Sequence, residues 1–215
     1  MTSLISLMFL SPAFALDHEV TLDTGYLKNE GPAFNLFSES NRMNAVGIRA
    51  VGALGEHLGI VGSWQHTGQK AEINVGQYTE ADEDSDFDYG PQTQTYQSEL
   101  QADQFSLGPI ADWEIFNGAL APYVHADMIV QRATAHLRSG IENYPNRVEL
   151  ERTALQAGVA AMVGITVNVP IIAGSEVTGH VEVGTTQYLG SLKFQDFGEM
   201  QPGGFTLRTG IGLRY

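Results

Sequence analysis

The final eleven residues, 205–215, form an alternating segment that constrains the fold more than any other part of the sequence. Side chains alternate between the two faces of a strand, so this segment has one apolar or aromatic face and one polar or glycine face. The apolar face consists of Phe205, Leu207, Ile211, Leu213 and Tyr215. The segment therefore predicts a β-strand that separates an apolar environment from a polar one.

The first fifteen residues have the features of an export signal, although they lack the basic residue that usually begins one. They contain no charged residue, and the apolar run 4–10 is too short to span a bilayer, which takes about 20 residues. The run is followed by Ala13-Phe14-Ala15, a small-residue pattern typical of signal cleavage. We therefore expect a signal peptide over 1–15 and one mature domain over 16–215.

Composition narrows the possible functions and partners. The net charge is −14, from 11 basic and 25 acidic residues, which excludes the basic surface that nucleic-acid binding requires. The sequence has no cysteine, so an exported form folds without disulfides. The 24 glycines and the 17% content of charged residues favour closely paired strands over helices.

Alternation recurs along the mature chain and predicts eight strands separated by links of alternating length. The predicted strands are 18–27, 44–52, 57–67, 99–113, 119–132, 149–167, 176–189 and the terminal segment. The long links are 28–43, 68–98, 133–148 and 190–203, and the short links are 53–56, 114–118 and 168–175. Long loops on one side and short turns on the other are typical of outer-membrane barrels, whose short turns face the periplasm. The mean hydropathy of −0.10 agrees with such a barrel, because only every second residue faces lipid.

The export signal, the alternating segments and the aromatic terminal residue resemble the small bacterial outer-membrane barrels of the OmpA transmembrane-domain and OmpX type. This resemblance covers nearly the whole mature chain and depends on pattern, not on a specific motif. It implies a monomeric, all-β, eight-stranded antiparallel up-and-down transmembrane barrel in contact with outer-membrane lipid and lipopolysaccharide. It also implies that the barrel-assembly machinery recognises Phe205, Leu207, Ile211, Leu213 and Tyr215 as an insertion signal.

Charges of both signs share the predicted inward face. Since an unpaired buried charge is very costly, we predict that they form a structural network of ion pairs. The expected members are Asp23, Arg49, His125, Asp127, Arg152, His180, Glu182, Arg208 and Arg214. The repeated His-x-acid pattern supports a second hypothesis, in which two histidines and two carboxylates bind a metal or act as acid and base. The two pairs lie on strands that are not neighbours, so we expect no metal, no cofactor and no catalytic residue.

Two further groups of residues have predicted positions. The acidic run 80–88 is expected to be a solvated loop, with loose contact to divalent cations as the alternative. Seven aromatic residues near predicted strand ends are expected in the girdles that flank the lipid-facing band. They are Tyr26, Trp64, Trp113, Phe116, Tyr188, Phe205 and Tyr215.

Side chains just fill the interior of an eight-stranded barrel, so a wide pore is not expected. We expect a non-enzymatic surface protein whose long loops serve membrane integrity, adhesion or ligand contact. The alternative is an outer-membrane enzyme that modifies lipid A or phospholipid, because such enzymes also use small barrels. The candidate hydroxyl groups of Ser63, Ser106, Ser175 and Ser191 lie in no nucleophile motif.

Overall fold

The computed structural model describes residues 18–30, 42–77, 92–141, 148–172, 174–194 and 198–215. The strands are β1 (His18–Glu30), β2 (Arg42–Ala53), β3 (Leu58–Gln77), β4 (Gln92–Asp112), β5 (Leu120–Ile141), β6 (Val148–Ile172), β7 (Ser175–Tyr188), β8 (Leu192–Phe194) and β9 (Gly198–Arg214). None of the described residues forms a helix long and apolar enough to cross a membrane. The predicted signal peptide and the acidic run 80–88 lie outside the described residues.

Eight of these strands close into a barrel. Each pairs antiparallel with its neighbours in the order β1-β2-β3-β4-β5-β6-β7-β9, and β9 pairs with β1 to complete the ring. At the seam, the amide of His18 donates to the carbonyl of Tyr215 and the amide of Tyr215 donates to that of His18, both at 2.9 Å. At the level where all eight strands pair, closure leaves no sheet edge, which is the condition for a sheet in hydrocarbon. The predicted fold class is confirmed.

The outward face carries a continuous band of exposed apolar side chains, and the inward face at the same level is mostly polar. A water-soluble monomer does not expose so large an apolar surface, so the barrel spans a membrane. Closed antiparallel barrels with this alternation are outer-membrane proteins, as predicted. The band contains Leu22, Val46, Ile48, Leu58, Ile60, Trp64, Phe105, Leu107, Val124, Met128, Val130, Leu155, Val159, Val163, Ile165, Val167, Val181, Val183, Phe205, Ile211, Leu213 and Tyr215.

The polarity of the two faces reverses at the end of the barrel away from the short turns. On β5, Arg132 faces outward above Val130, whereas Ala133 and Ala135 face inward and are fully buried. The predicted loops 68–98 and 133–148 are therefore largely wrong, because β3 continues to residue 77, β4 begins at 92 and β5 continues to 141. The prediction required apolar residues on the outward face, so it ended each strand where the polarity of the two faces reverses.

The paired strands thus differ in length. Strands β3 to β6 contain 20, 21, 22 and 25 residues, whereas β1, β2 and β7 contain 13, 12 and 14. We call the part of β3 to β6 that lies beyond the apolar band the tall wall. Its outward face is polar, and its inward face contributes to a second, apolar core.

A short hairpin fills this end of the barrel. Strand β8 pairs only with the start of β9, through Leu192 with Met200 and Phe194 with Gly198. We call this pair of segments the plug hairpin. Its apolar side chains pack against the tall wall in a cluster of Met43, Leu100, Ala102, Ala133, Ala135, Leu192, Phe194 and Met200. Residues 190–203 were predicted to be a plain loop, so this folded hairpin is a correction.

The short turns largely match their predictions. Asn117 and Gly118 were predicted as a hairpin dipeptide, and both have positive φ, at 56° and 83°. The predicted link 168–175 is too long, because β6 continues to Ile172 with Val169 facing outward. Tyr188 does not lie in a girdle: its hydroxyl donates to Gln104 Oε1 at 2.7 Å, on the inward side.

The plug hairpin supplies the first testable prediction. Leu192 is completely buried, so Leu192→Asp places a charge in the apolar core and should release the hairpin from the wall. We expect cleavage of the folded barrel between residues 190 and 203 by limited proteolysis to accelerate at least tenfold. Lys193→Asp introduces the same residue on the solvent side, where it removes only the exposed ion pair with Glu199 at 3.2 Å, and should accelerate cleavage less than twofold. Equal cleavage of the two variants would contradict this packing.

Candidate functional site

Glu182 on β7 is the centre of the polar interior. Its Oε2 atom lies 3.0 Å from His125 Nε2 and accepts a hydrogen bond from the hydroxyl of Tyr123 at 3.0 Å. Its Oε1 atom lies 3.1 Å from Arg208 Nη1. The carboxylate is completely buried. One side chain of β7 therefore connects β5 to β9.

The contacts continue from His125 along β5 to a pair of serines. Asp127 Oδ1 lies 2.8 Å from His125 Nδ1, and Asp127 Oδ2 accepts a hydrogen bond from Ser106 Oγ at 3.2 Å. Ser106 Oγ in turn lies 2.8 Å from Ser63 Oγ. The carboxylate separates the serine from the imidazole, so neither hydroxyl has the contact with histidine that would activate a nucleophile.

A second group of ion pairs lies beside the first. Arg49 Nη1 contacts Glu19 Oε1 at 3.0 Å, and the Arg49 guanidinium carbon lies 5.0 Å from the centre of the Tyr123 ring. Asp23 Oδ1 accepts a hydrogen bond from Thr21 at 2.8 Å and lies 3.6 Å from His180 Nε2. Tyr123 therefore contacts both groups, through its hydroxyl and through its ring.

Two of the predicted members lie apart from this centre. Arg152 Nη1 donates to the carbonyl of Glu151 at 2.8 Å, on a partly exposed part of β6. Arg214 Nη2 pairs with Glu114 at 2.9 Å, near the short turns. The seven other predicted residues are all buried, namely Asp23, Arg49, His125, Asp127, His180, Glu182 and Arg208.

Two glycines make room for the contacts across strands. Gly164 on β6 pairs with Tyr123 on one side and Glu182 on the other, and a Cβ there would collide with the Tyr123 ring. Gly210 on β9 has the same position between Asp23 and His180. Side chains two strands apart can therefore meet above a glycine. His125 on β5 and Glu182 on β7 are separated by β6, and for that reason they were not expected from the sequence to meet. That expectation was wrong.

No metal centre is evident in the described part of the chain. No group of three or more histidine or acidic side chains there is arranged to hold a metal ion. A cavity of about 50 Å³ lies among Arg49, Asp112, Tyr123 and Arg214 near the short turns. That volume has room for one or two water molecules.

The predicted insertion residues all lie on the outward side of β9. Phe205, Ile211, Leu213 and Tyr215 are 50–70% exposed, and Leu207 is partly exposed. Recognition of these residues by an assembly factor stays a prediction. Their orientation agrees with the sequence pattern.

Two further inward residues, Glu19 and Tyr123, complete the network but were not among its predicted members, although Tyr123 was placed on the inward face. Glu19 is the only described acidic partner of Arg49, and Tyr123 joins the two groups of ion pairs. Glu19 lies at an even spacing from Asp23 on β1, so the same alternation that identified Asp23 could have identified it.

Removal of the central charge gives the second prediction. Glu182→Gln keeps the shape of the side chain but leaves His125 and Arg208 without their carboxylate, and it should lower the free energy of unfolding by about 3–5 kcal/mol. Urea unfolding in lipid vesicles measures this change. Asp103→Asn is the control, because Asp103 pairs with His66 on the half-exposed outer surface, and it should cost at most about 1 kcal/mol.

A change below 1 kcal/mol for Glu182→Gln would contradict a structural role of the network. Zinc tests the metal hypothesis in the same assay. An unfolding midpoint that rises with zinc in the parent protein, but not in His125→Ala, would favour a metal site.

The third prediction concerns the space above Gly164. Gly164→Ala adds a methyl group against the Tyr123 ring and should destabilise the barrel by about 1–3 kcal/mol through overpacking. Gly62→Ala is the matched control, because its nearest contact would be Leu107 Cδ1 at 3.6 Å, an ordinary distance. Equal stability of the two variants in the urea assay would show that Tyr123 does not need this space.

Comparison of this chain with known proteins finds solved structures of similar fold but no related sequence. No model of a known protein family matches the sequence, and no curated protein sequence matches it. The attachment invasion locus protein Ail of Yersinia pestis, solved with the heparin analogue sucrose octasulfate, is 13% identical with a TM-score of 0.48. That match covers 92% of this chain and 99% of Ail.

Neisserial surface protein A is 12% identical with a TM-score of 0.47, over 92% of this chain and 95% of that protein. A major outer membrane protein from Thermus thermophilus is 11% identical with a TM-score of 0.46, over 92% and 98%. Identities and scores at this level carry no inference about function. The closed eight-stranded sheet, the apolar exterior and the ion-paired interior identify this chain as a small outer-membrane β-barrel protein, the class that its sequence resembles.

Proposed function

We propose that this chain is a non-enzymatic outer-membrane protein that supports membrane integrity and presents its tall wall and loops for adhesion or ligand contact. The tall wall is the observation that carries this proposal. Val130 belongs to the apolar band, and Ile141, the last residue of β5, lies eleven residues further along the strand. A tilted strand of that length rises roughly 25–30 Å. The loops that join these strands therefore start well above the lipid surface.

The surface of the tall wall is suited to water and to polar partners. Its outward side chains pair across strands, with Lys70 Nζ 3.2 Å from Glu99 and Arg138 Nη2 3.0 Å from Glu149. The inward apolar core holds the wall in shape without help from lipid. A rigid, polar projection of this kind supports a role in surface contact.

The interior supports the non-enzymatic part of the proposal. The carboxylates of Asp127 and Glu182 are buried, and their close contacts are to other residues of the barrel. The histidine, arginine and hydroxyl groups around them stabilise these carboxylates, which present no acid, base or nucleophile at the lipid surface. The expected partners are outer-membrane lipid and lipopolysaccharide, with the barrel-assembly machinery during insertion, and the barrel is expected to act as a monomer.

The fourth prediction compares cells with and without the gene. Loss of the protein should increase entry of a large hydrophobic antibiotic or reduce attachment to host cells or matrix, and a plasmid copy should restore the lost property. Lipid A mass spectra from the same cells should be identical. A spectrum that differs by one acyl chain or one headgroup would instead identify an outer-membrane enzyme that modifies lipid. Unchanged entry and unchanged attachment would contradict the proposed role.

A further inference from the structure

We propose that Arg132, on the outer surface of β5, binds a phosphate group of lipid A in the outer leaflet. Arg132 lies where the outward face changes from apolar to polar. Val130, the residue below it on that face, is 53% exposed, and Thr134 lies above it. Phosphate groups of a lipid occupy the same boundary, between the acyl chains and water. This inference refines the proposed contact with lipopolysaccharide and depends on it.

Arg132 forms no ion pair with the described residues. Arg132 directly faces Asp103 on β4, and Asp103 faces His66 on β3. The Asp103 carboxylate pairs with His66, with 3.0 Å between Oδ1 and Nδ1. No carboxylate of the described residues lies within 4 Å of the Arg132 guanidinium, whereas Lys70 and Arg138 on the same wall both have acidic partners.

Apolar side chains surround the lower side of Arg132. Leu155, directly opposite on β6, is 71% exposed, and Phe105, opposite Val130 on β4, is 56% exposed. Acyl chains would pack on these residues while the guanidinium contacts the phosphate. An arginine can donate two parallel hydrogen bonds to a phosphate, which makes the pair strong and directional.

The overall charge makes one such contact important. The chain carries a net charge of −14, so its overall field does not favour anionic headgroups. An unpaired cation at the boundary offsets this field at one defined position. Arg132 lies at the end of the barrel away from the short turns, and the short turns of an outer-membrane barrel face the periplasm. The site therefore faces the outer leaflet, where lipopolysaccharide is the expected lipid, and we assign it to lipid A and not to a glycerophospholipid.

The test measures lipid binding to the refolded barrel in detergent micelles by native mass spectrometry. The probes are bis-phosphorylated lipid A, the same lipid without phosphates, and phosphatidylglycerol. We expect the parent barrel to bind bis-phosphorylated lipid A about tenfold more tightly than either other probe. Arg132→Ala should remove that preference, and Arg132→Lys should keep part of it because the charge remains.

Arg138→Ala is the matched control, since Arg138 lies higher on the same strand and already pairs with Glu149. It should change lipid A binding less than twofold, and heat-modifiable migration should confirm that every variant is folded. Unchanged binding by Arg132→Ala, an equal loss in Arg138→Ala, or equally tight binding of phosphatidylglycerol would each overturn the site. Cells that lack the gene test the proposed function separately, so failure of one does not imply failure of the other.

Discussion

The buried carboxylate of Glu182 is the contact on which the interior of this barrel depends. It faces Tyr123, His125 and Arg208 from two other strands, all within 3.1 Å. A charge inside a membrane protein is stable only when it is paired and hydrogen-bonded. The network therefore fixes which strands lie opposite one another, and the glycines at 164 and 210 are required because the side chains must cross a strand to meet.

The same strands bury polar side chains at one level of the barrel and apolar side chains at another. At the level of lipid, apolar side chains point outward and ion pairs fill the centre. Beyond Arg132 and Leu155, the same alternation places apolar residues inside and polar residues outside, as in a water-soluble protein. The plug hairpin is needed only in this second region, because four tall strands form an open wall whose apolar inner face would otherwise meet water.

Much of the fold could be predicted from the sequence, since alternation and link length are local properties of the chain. All eight barrel strands were predicted, and Asn117-Gly118 was recognised by its turn chemistry. The predicted end of β5 came too early because inward Ala133 and outward Thr134 reverse the expected polarity. Strands β3 and β4 were predicted too short at the same end of the barrel. The contact of His125 with Glu182, and the inward position of Tyr188, depend on how strands curve around a small barrel. No local pattern encodes that curvature.

Because the strands differ in height, the barrel has one tall side and one low side, so its orientation within the plane of the membrane can be distinguished. Strands β3 to β6 rise on one side, whereas β1, β2 and β7 end lower, so the molecule has a front and a back when viewed from outside the cell. A partner that binds the wall must also fix the rotation of the barrel about the membrane normal. Several copies held by one extended partner would consequently all have the same rotation about the membrane normal. Each copy would then present the same lipid-facing strands to its neighbours.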